Sequence, residues 1–180
     1  MTELLFKVIV IGPAAVGKSS LIRRFVEEKF TLQYKFTIGV DFSSKLIEYR
    51  PDKKARLIIW DIGGQDRFAN LRRNFYEGTH GALVVFDLSR AQTYPKMKEW
   101  ITDMNQILNR KIPIVILGNK SDLIPQIGEV IDKEKPKKYS ERNDSIYIET
   151  SAKSGENVDE AFIELTKKIV DKMPKKTLSI

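Results

Sequence analysis

The sequence predicts an α/β fold, with a mostly parallel six-stranded sheet, one antiparallel edge strand and helices on both faces. Three observations predict it. Five runs (Leu4–Ile11, Leu57–Asp61, Ala82–Asp87, Ile114–Gly118 and Ile146–Glu149) are apolar and β-branched with little polar alternation, as in strands buried on both faces. Between them Met97, Trp100, Ile101, Met104 and Leu108 recur at helical spacing, and so do Val158, Ala161, Phe162, Leu165 and Ile169. A sixth run, Val40–Glu48, is joined to the strand ending at Asp61 by the turn Arg50-Pro51-Asp52-Lys53, which makes that pair a hairpin.

Taken in order, the first strand runs straight into Gly12 to Ser20, which read G-P-A-A-V-G-K-S-S, and Ser20 to Glu28 follow as a helix. The helix of Met97 to Leu108 precedes the strand Ile114–Gly118. Glu156-Asn157 signal the start of the last helix. Asp132–Asn143 form a helix against their own charge, because Lys133, Lys135, Lys137 and Lys138 crowd an end where the dipole prefers anions. Pro136 fits there only within a first turn capped by Asp132. No linker, repeat or low-complexity segment interrupts the chain, so residues 1–180 read as one domain, and 180 residues suffice to bury a full core.

Composition excludes several classes. There is no cysteine, which removes disulfides, thiol chemistry and Cys-based zinc sites and fits a reducing compartment. No apolar run approaches a membrane span, and Glu3 and Lys7 interrupt any signal-peptide pattern. The net charge of +7 permits an anionic partner, but the basic residues are dispersed and lack the aromatic platforms of a nucleic-acid surface.

Four strings carry chemistry. In the first, the glycines let the backbone of Ala15, Val16, Gly17, Lys18, Ser19 and Ser20 wrap a polyphosphate at a helix N-terminus. Lys18 is set to reach the β- and γ-phosphates, and the Ser19 hydroxyl to ligate Mg²⁺. The second, Asp61-Ile62-Gly63-Gly64-Gln65, ends a strand: Asp61 can hold the metal, Gly64 can offer its N–H to a γ-phosphate, and Gln65 can orient an attacking water. In the third, Asn119-Lys120-Ser121-Asp122, the Asp122 carboxylate can accept the N1–H and N2–H₂ of guanine, a donor pair adenine lacks. The fourth is Thr150-Ser151-Ala152-Lys153, where the Ala152 N–H can reach the guanine O6. Singly, each string also fits an ordinary turn with solvated polar residues. In this order, each after a predicted strand, they form a specific set.

Together the four strings resemble the Ras superfamily of small GTPases over residues 3 to 173, which implies a P-loop NTPase domain binding GTP or GDP with Mg²⁺. Ile38-Gly39-Val40-Asp41-Phe42, Asp66-Arg67-Phe68, Phe75-Tyr76-Glu77-Gly78 and Val85-Phe86-Asp87-Leu88 look most like the Rab branch. The resemblance implies that Thr37 joins Ser19 and Asp61 at the metal when the γ-phosphate is present, and that Phe30 lies against the guanine edge. It implies an effector-facing triad of Phe42, Trp60 and Phe75, with the third member usually Tyr in that branch. It further implies exchange factors, activating proteins and effectors that bind at two switch segments, Phe30–Gly39 and Ile62–Tyr76, of a monomer.

Departures sharpen these expectations. Asp61 to Asp66 read like the Arf branch, yet Thr2 cannot be myristoylated and no amphipathic helix precedes the first strand. The Ala14 methyl should crowd the catalytic water, and Lys35 is the nearest cation ahead of Thr37, without the planar fork of an arginine; both predict slow unaided hydrolysis. Without cysteine there is no prenylation on this sequence. Lys167, Lys168, Lys172, Lys175 and Lys176 then predict a cytosolic protein with weak, salt-sensitive contact with anionic membranes. Two rivals stand beside the switch. A catalytically inert GTP-binding scaffold commonly loses Lys18, Ser19, Thr37 or Gln65, and an ATP-dependent enzyme on the same loop is disfavoured by Asn119, Lys120 and Asp122.

Overall fold

The computed structural model describes residues 3–33, 35, 37–65 and 70–174. Its strands are β1 (Leu4–Ile11), β2 (Val40–Arg50), β3 (Lys53–Ile62), β4 (Gly81–Asp87), β5 (Ile114–Asn119) and β6 (Ile146–Thr150). They form one sheet in the order β2-β3-β1-β4-β5-β6. Every pair of neighbours is parallel except β2 and β3, so the antiparallel edge is where the turn at Pro51 placed it. β2 and β3 run past the apolar stretch towards their turn, pairing Glu48 with Lys54 and Arg50 with Lys53. An edge ladder satisfies backbone groups and needs no apolar side chain to continue.

The helices are α1 (Lys18–Glu27), α2 (Arg72–Tyr76), α3 (Thr93–Leu108), α4 (Ile124–Ile127), α5 (Glu134–Arg142) and α6 (Val158–Asp171). Strand alternation divides the core into two layers. Phe6, Val8, Val10, Leu83 and Val85 meet α1 and α6, where Phe25 stacks on Phe162 with ring centroids 3.8 Å apart. Ile9, Ile11, Val84 and Phe86 meet α3, whose Met97, Trp100, Ile101 and Met104 are all buried. Those periodic residues are core.

Helix starts differ from expectation in instructive ways. α1 begins at Lys18, not Ser20, so Lys18 and Ser19 occupy its first turn. Asp132 accepts a hydrogen bond from the Glu134 N–H at 3.0 Å, and Pro136 is the third residue of α5, where no intrahelical donor is needed. Asn157 precedes α6 but its side chain does not cap it: it sits at φ 54° and donates instead to the Glu149 carbonyl at 2.9 Å. Asp159 and Glu160 supply the negative charge of the first turn. The short helices α2 and α4 carry no periodic pattern and were not anticipated.

β1 lies centrally, with β3 on one side and β4 on the other, so successive connections leave it in opposite directions. In such sheets ligands bind outside the carboxyl ends of the strands at this reversal. Residues 12–17 follow β1, Asp61 sits near the end of β3, Asn119 ends β5, and Ser151 follows β6. Asp66, Arg67 and Phe68 of the second switch, residues 34 and 36 of the first, and Lys175 and Lys176 lie outside the described residues.

Candidate functional site

At the reversal point lies a cavity of about 360 Å³, the size of a small-ligand cleft. Ala14, Ala15, Gly17, Lys18, Ser19 and Ser20 line its floor, with Arg23 from α1 beside them. Thr37, Gly64 and Gln65 line one end, and Asn119, Lys120, Asp122, Ala152 and Lys153 the other. Phe30, Thr31, Leu32, Gln33 and Lys35 form a flank, and Leu123 closes the base end. Among the charged lining residues Lys18, Arg23, Lys35, Lys120 and Lys153 are cationic and Asp122 is acidic, a balance suited to a polyanion. Val16 and Ser151 do not line the cavity: both residues are fully buried.

The floor is built for anions. α1 has neither an acidic residue in its first turn nor a side-chain cap, so its first N–H groups stay open towards the cavity. Gly17 lies at φ 99°, and a Cβ there would strike the Asn119 side-chain amide, so only glycine fits. The buried Lys18 ammonium donates to the Gly12 and Pro13 carbonyls at 2.9 and 2.8 Å. Burial lowers its pKa to about 8; the Asp61 charge opposes that shift and Arg72 adds to it. Gly64 presses on the loop as well, since a Cβ on it would lie 2.5 Å from the Ala14 nitrogen.

Three oxygens meet beside Lys18. Ser19 Oγ lies 2.8 Å from Thr37 Oγ1 and donates to Asp61 Oδ2, to which Thr37 Oγ1 also donates at 3.3 Å. Burial pushes the Asp61 carboxyl above its usual range, against the hydrogen bond from Ser19 and the charge of Lys18. The other carboxylate oxygen, Oδ1, is buried with no hydrogen-bond partner among the described residues. A hydroxyl pair and an under-satisfied carboxylate form a hard-oxygen set, and such a set fits Mg²⁺ or its bound water. Nearby, the Gly63 N–H donates to the Gly39 carbonyl at 2.9 Å, which joins the two predicted switch segments.

At the base end, Asn119 is a tie between loops. Its Nδ2 donates to the Val16 carbonyl at 2.9 Å, and its Oδ1 accepts from Thr150 Oγ1 at 3.2 Å and the Ala152 N–H at 3.3 Å. Asp122 Oδ1 accepts from Ser151 Oγ at 2.6 Å. Arg24 of α1, which sequence reasoning missed, donates from Nε to the Ala152 carbonyl at 2.8 Å and from Nη2 to that of Lys153 at 2.6 Å. Asp87, legible only as part of a branch-like string, pairs with Lys120 at 2.7 Å and Arg90 at 2.9 Å.

Away from the cavity, Phe42 (55% exposed) meets Trp60 edge-on at 4.5 Å, and Trp60 lies 6.4 Å from Phe75. Lys7 Nζ stands 3.5 Å from the Trp60 ring centroid and donates to the Glu77 carbonyl at 2.7 Å. The three rings form one partly exposed patch.

A sheet of this order with a phosphate loop after its central strand defines a nucleotide-binding α/β protein. Residues 7–171 match the sequence model of the Ras family, and the chain belongs to that family. It is similar to Ras-related protein Rab-4A of Homo sapiens, 39% identical over 171 residues that cover 95% of this chain and 77% of that protein. Rab-4A of Danio rerio and Rab-4B of Homo sapiens are each 39% identical, covering 95% of this chain and 79% of theirs. These relatives set the chain near the Rab branch, despite its Arf-like Asp61 to Asp66, and make it a small GTP-binding protein of the GTPase class.

Proposed function

We propose that this protein is a nucleotide-controlled switch that binds GTP or GDP with Mg²⁺, hydrolyses GTP slowly, and presents the Phe42, Trp60 and Phe75 patch to effectors in its GTP state. The observation that carries this reading is the meeting of Ser19, Thr37 and Asp61 beside Lys18, with Asp61 Oδ1 left unpartnered. Bound there, Mg²⁺ supplies positive charge against the phosphate oxygens. The N–H groups of Ala15 to Ser20 hold the phosphates, and Lys18 neutralises them. Asp122 reads the guanine N1–H and N2–H₂, Phe30 covers the base, and the Ala152 N–H, which donates to Asn119 Oδ1 at 3.3 Å, is shared with O6. Gln65, at the phosphate end of the cavity, orients the attacking water. The γ-phosphate and Mg²⁺ would hold Thr37 and Gly64 in place, and hydrolysis would release both segments.

Exchange factors and activating proteins would act on those segments. Membrane contact on this reading is weak. No described helix is long and apolar enough to cross a membrane. Lys167 is paired with Glu164, and Lys168 and Lys172 with Asp144, which leaves little free charge on α6 for an anionic surface.

The test has two parts. Nucleotide released from the purified protein by denaturation is expected to be GDP or GTP on chromatography. Single-turnover hydrolysis should proceed at ~10⁻⁴ s⁻¹, a scale carried over from Ras proteins. Gln65→Leu should slow it further with nucleotide affinity nearly unchanged. Rapid hydrolysis that survives the substitution would remove Gln65 from its role, and absence of hydrolysis in wild type would favour the inert scaffold.

A further inference from the structure

The turn leaving β4 carries an arginine that reaches the back of the phosphate loop. Asp87, the last residue of β4, is fully buried, and its carboxylate accepts hydrogen bonds from three residues. They come from the Ser89 N–H at 2.9 Å, the Ser89 hydroxyl at 2.6 Å, Arg90 Nε at 2.9 Å and Lys120 Nζ at 2.7 Å. Braced in this way, Arg90 extends Nη2 to the Ala15 carbonyl at 2.8 Å and the Ala14 carbonyl at 3.3 Å. Lys120 Nζ adds a third bond, to the Ala15 carbonyl at 3.2 Å. Ala15 is held at φ 63°, a left-handed conformation that a residue with a Cβ adopts only when its surroundings enforce it.

Peptide geometry gives these contacts a consequence at the ligand. In a trans peptide the carbonyl and the next N–H point in opposite directions. Pinning the Ala14 carbonyl therefore directs the Ala15 N–H, and pinning the Ala15 carbonyl directs the Val16 N–H. We propose that Arg90 is a positioning residue for the phosphate site: through Ala14 and Ala15 it aims two backbone donors at the polyphosphate. The inference rests on the guanine-nucleotide reading above. The guanidinium is suited to the task because one planar group spans a carboxylate and two carbonyls; a lysine ammonium is a point charge without that fork. The competing role is a plain stitch between the β4 turn and the loop, without effect on where the N–H groups point.

The test compares wild type, Arg90→Met and Arg90→Lys, each loaded with GDP. Two quantities are read: the rate at which excess GDP displaces a fluorescent GDP analogue, and the ³¹P resonances of bound GDP. Losing bonds from a charged donor should speed release about 10-fold in Arg90→Met. The phosphorus resonances should move, with Arg90→Lys intermediate on both readouts. Either readout left at its wild-type value in Arg90→Met overturns the proposal; faster release with unmoved resonances would assign the plain stitch. If Arg90→Met does not fold, Arg90→Lys is judged by the same two criteria. Failure of the wild-type protein to retain GDP would instead remove the underlying reading, and the proposal with it.

Discussion

Base choice depends on one carboxylate. Asp122 lines the cavity with one oxygen held by Ser151 at 2.6 Å, so its orientation is set before any base arrives. A site made to satisfy paired N–H donors rejects partners that lack them by roughly 10⁴-fold, because its own polar groups are left unpaired. Asp122→Asn is therefore expected to lose GTP affinity on that scale and to gain xanthosine triphosphate, whose C2 oxygen accepts from the new amide. Competition binding with both nucleotides checks it, and unchanged GTP affinity would remove Asp122 as the base reader. Lys18, Ser19, Asp61, Asn119 and Asp122 were legible because each stands at a fixed offset from a strand end. Arg24 and Arg90 were not, since their carbonyl partners lie 128 and 75 positions away and a lone arginine leaves no local pattern.

Elements were legible in proportion to their burial. α3 and α6 are periodic because each presents one apolar stripe to the sheet, whereas α2 and α4 are too short to show a period. The stack of Phe25 on Phe162 joins α1 to α6 at zero exposure of the second ring. Phe162→Ala should cost ~3–5 kcal/mol, read as a fall in urea midpoint. β1 and the start of β4 are tied by His80, whose ring Nδ1 accepts the Lys7 N–H at 2.9 Å while its backbone N–H donates to the Lys7 carbonyl. That bond needs the neutral ring. Burial, with the charges of Arg110 and Lys7, holds the imidazole below its usual pKa. Its unfolded form therefore binds the proton first, and the stability present above the unfolded value near 6.5 is lost as pH falls through the folded one. Thermal melts from pH 7 to 5 should show wild type losing stability relative to His80→Asn, which accepts the same bond without titrating. Parallel profiles would refute the linkage.

At the scale of the molecule, sheet order explains why four distant strings form one site: each follows a strand whose carboxyl end opens on the same side of the sheet. Their order in sequence was enough to infer that convergence. The lateral ties through Asn119 and Asp87 were not legible, because they join neighbouring loops. The aromatic patch gives the molecule an optical reporter. The sequence has two tryptophans, and Trp100 is occupied beneath Arg72 at 3.8 Å, so a Trp100→Phe background isolates Trp60. Its emission is expected to differ between GDP and a non-hydrolysable GTP analogue, and effector capture should require the analogue. Identical spectra and identical capture in both states would favour the inert scaffold.

The β2–β3 hairpin works as a length standard. Its open end pairs Val40 with Ile62, directly beside the Gly39–Gly63 bond, while its closed end turns at Pro51 and Asp52. Ten residues of β3 span roughly 33 Å, so the closed end lies far from the cavity. Added residues at that turn leave the pairing at the open end untouched, which makes it the place to attach a label or an affinity tag. A single deletion inside β3 has the opposite result: it turns Trp60 towards the buried face and sets a different residue against Gly39. Both segments that sense the nucleotide would then lose alignment from one missing residue.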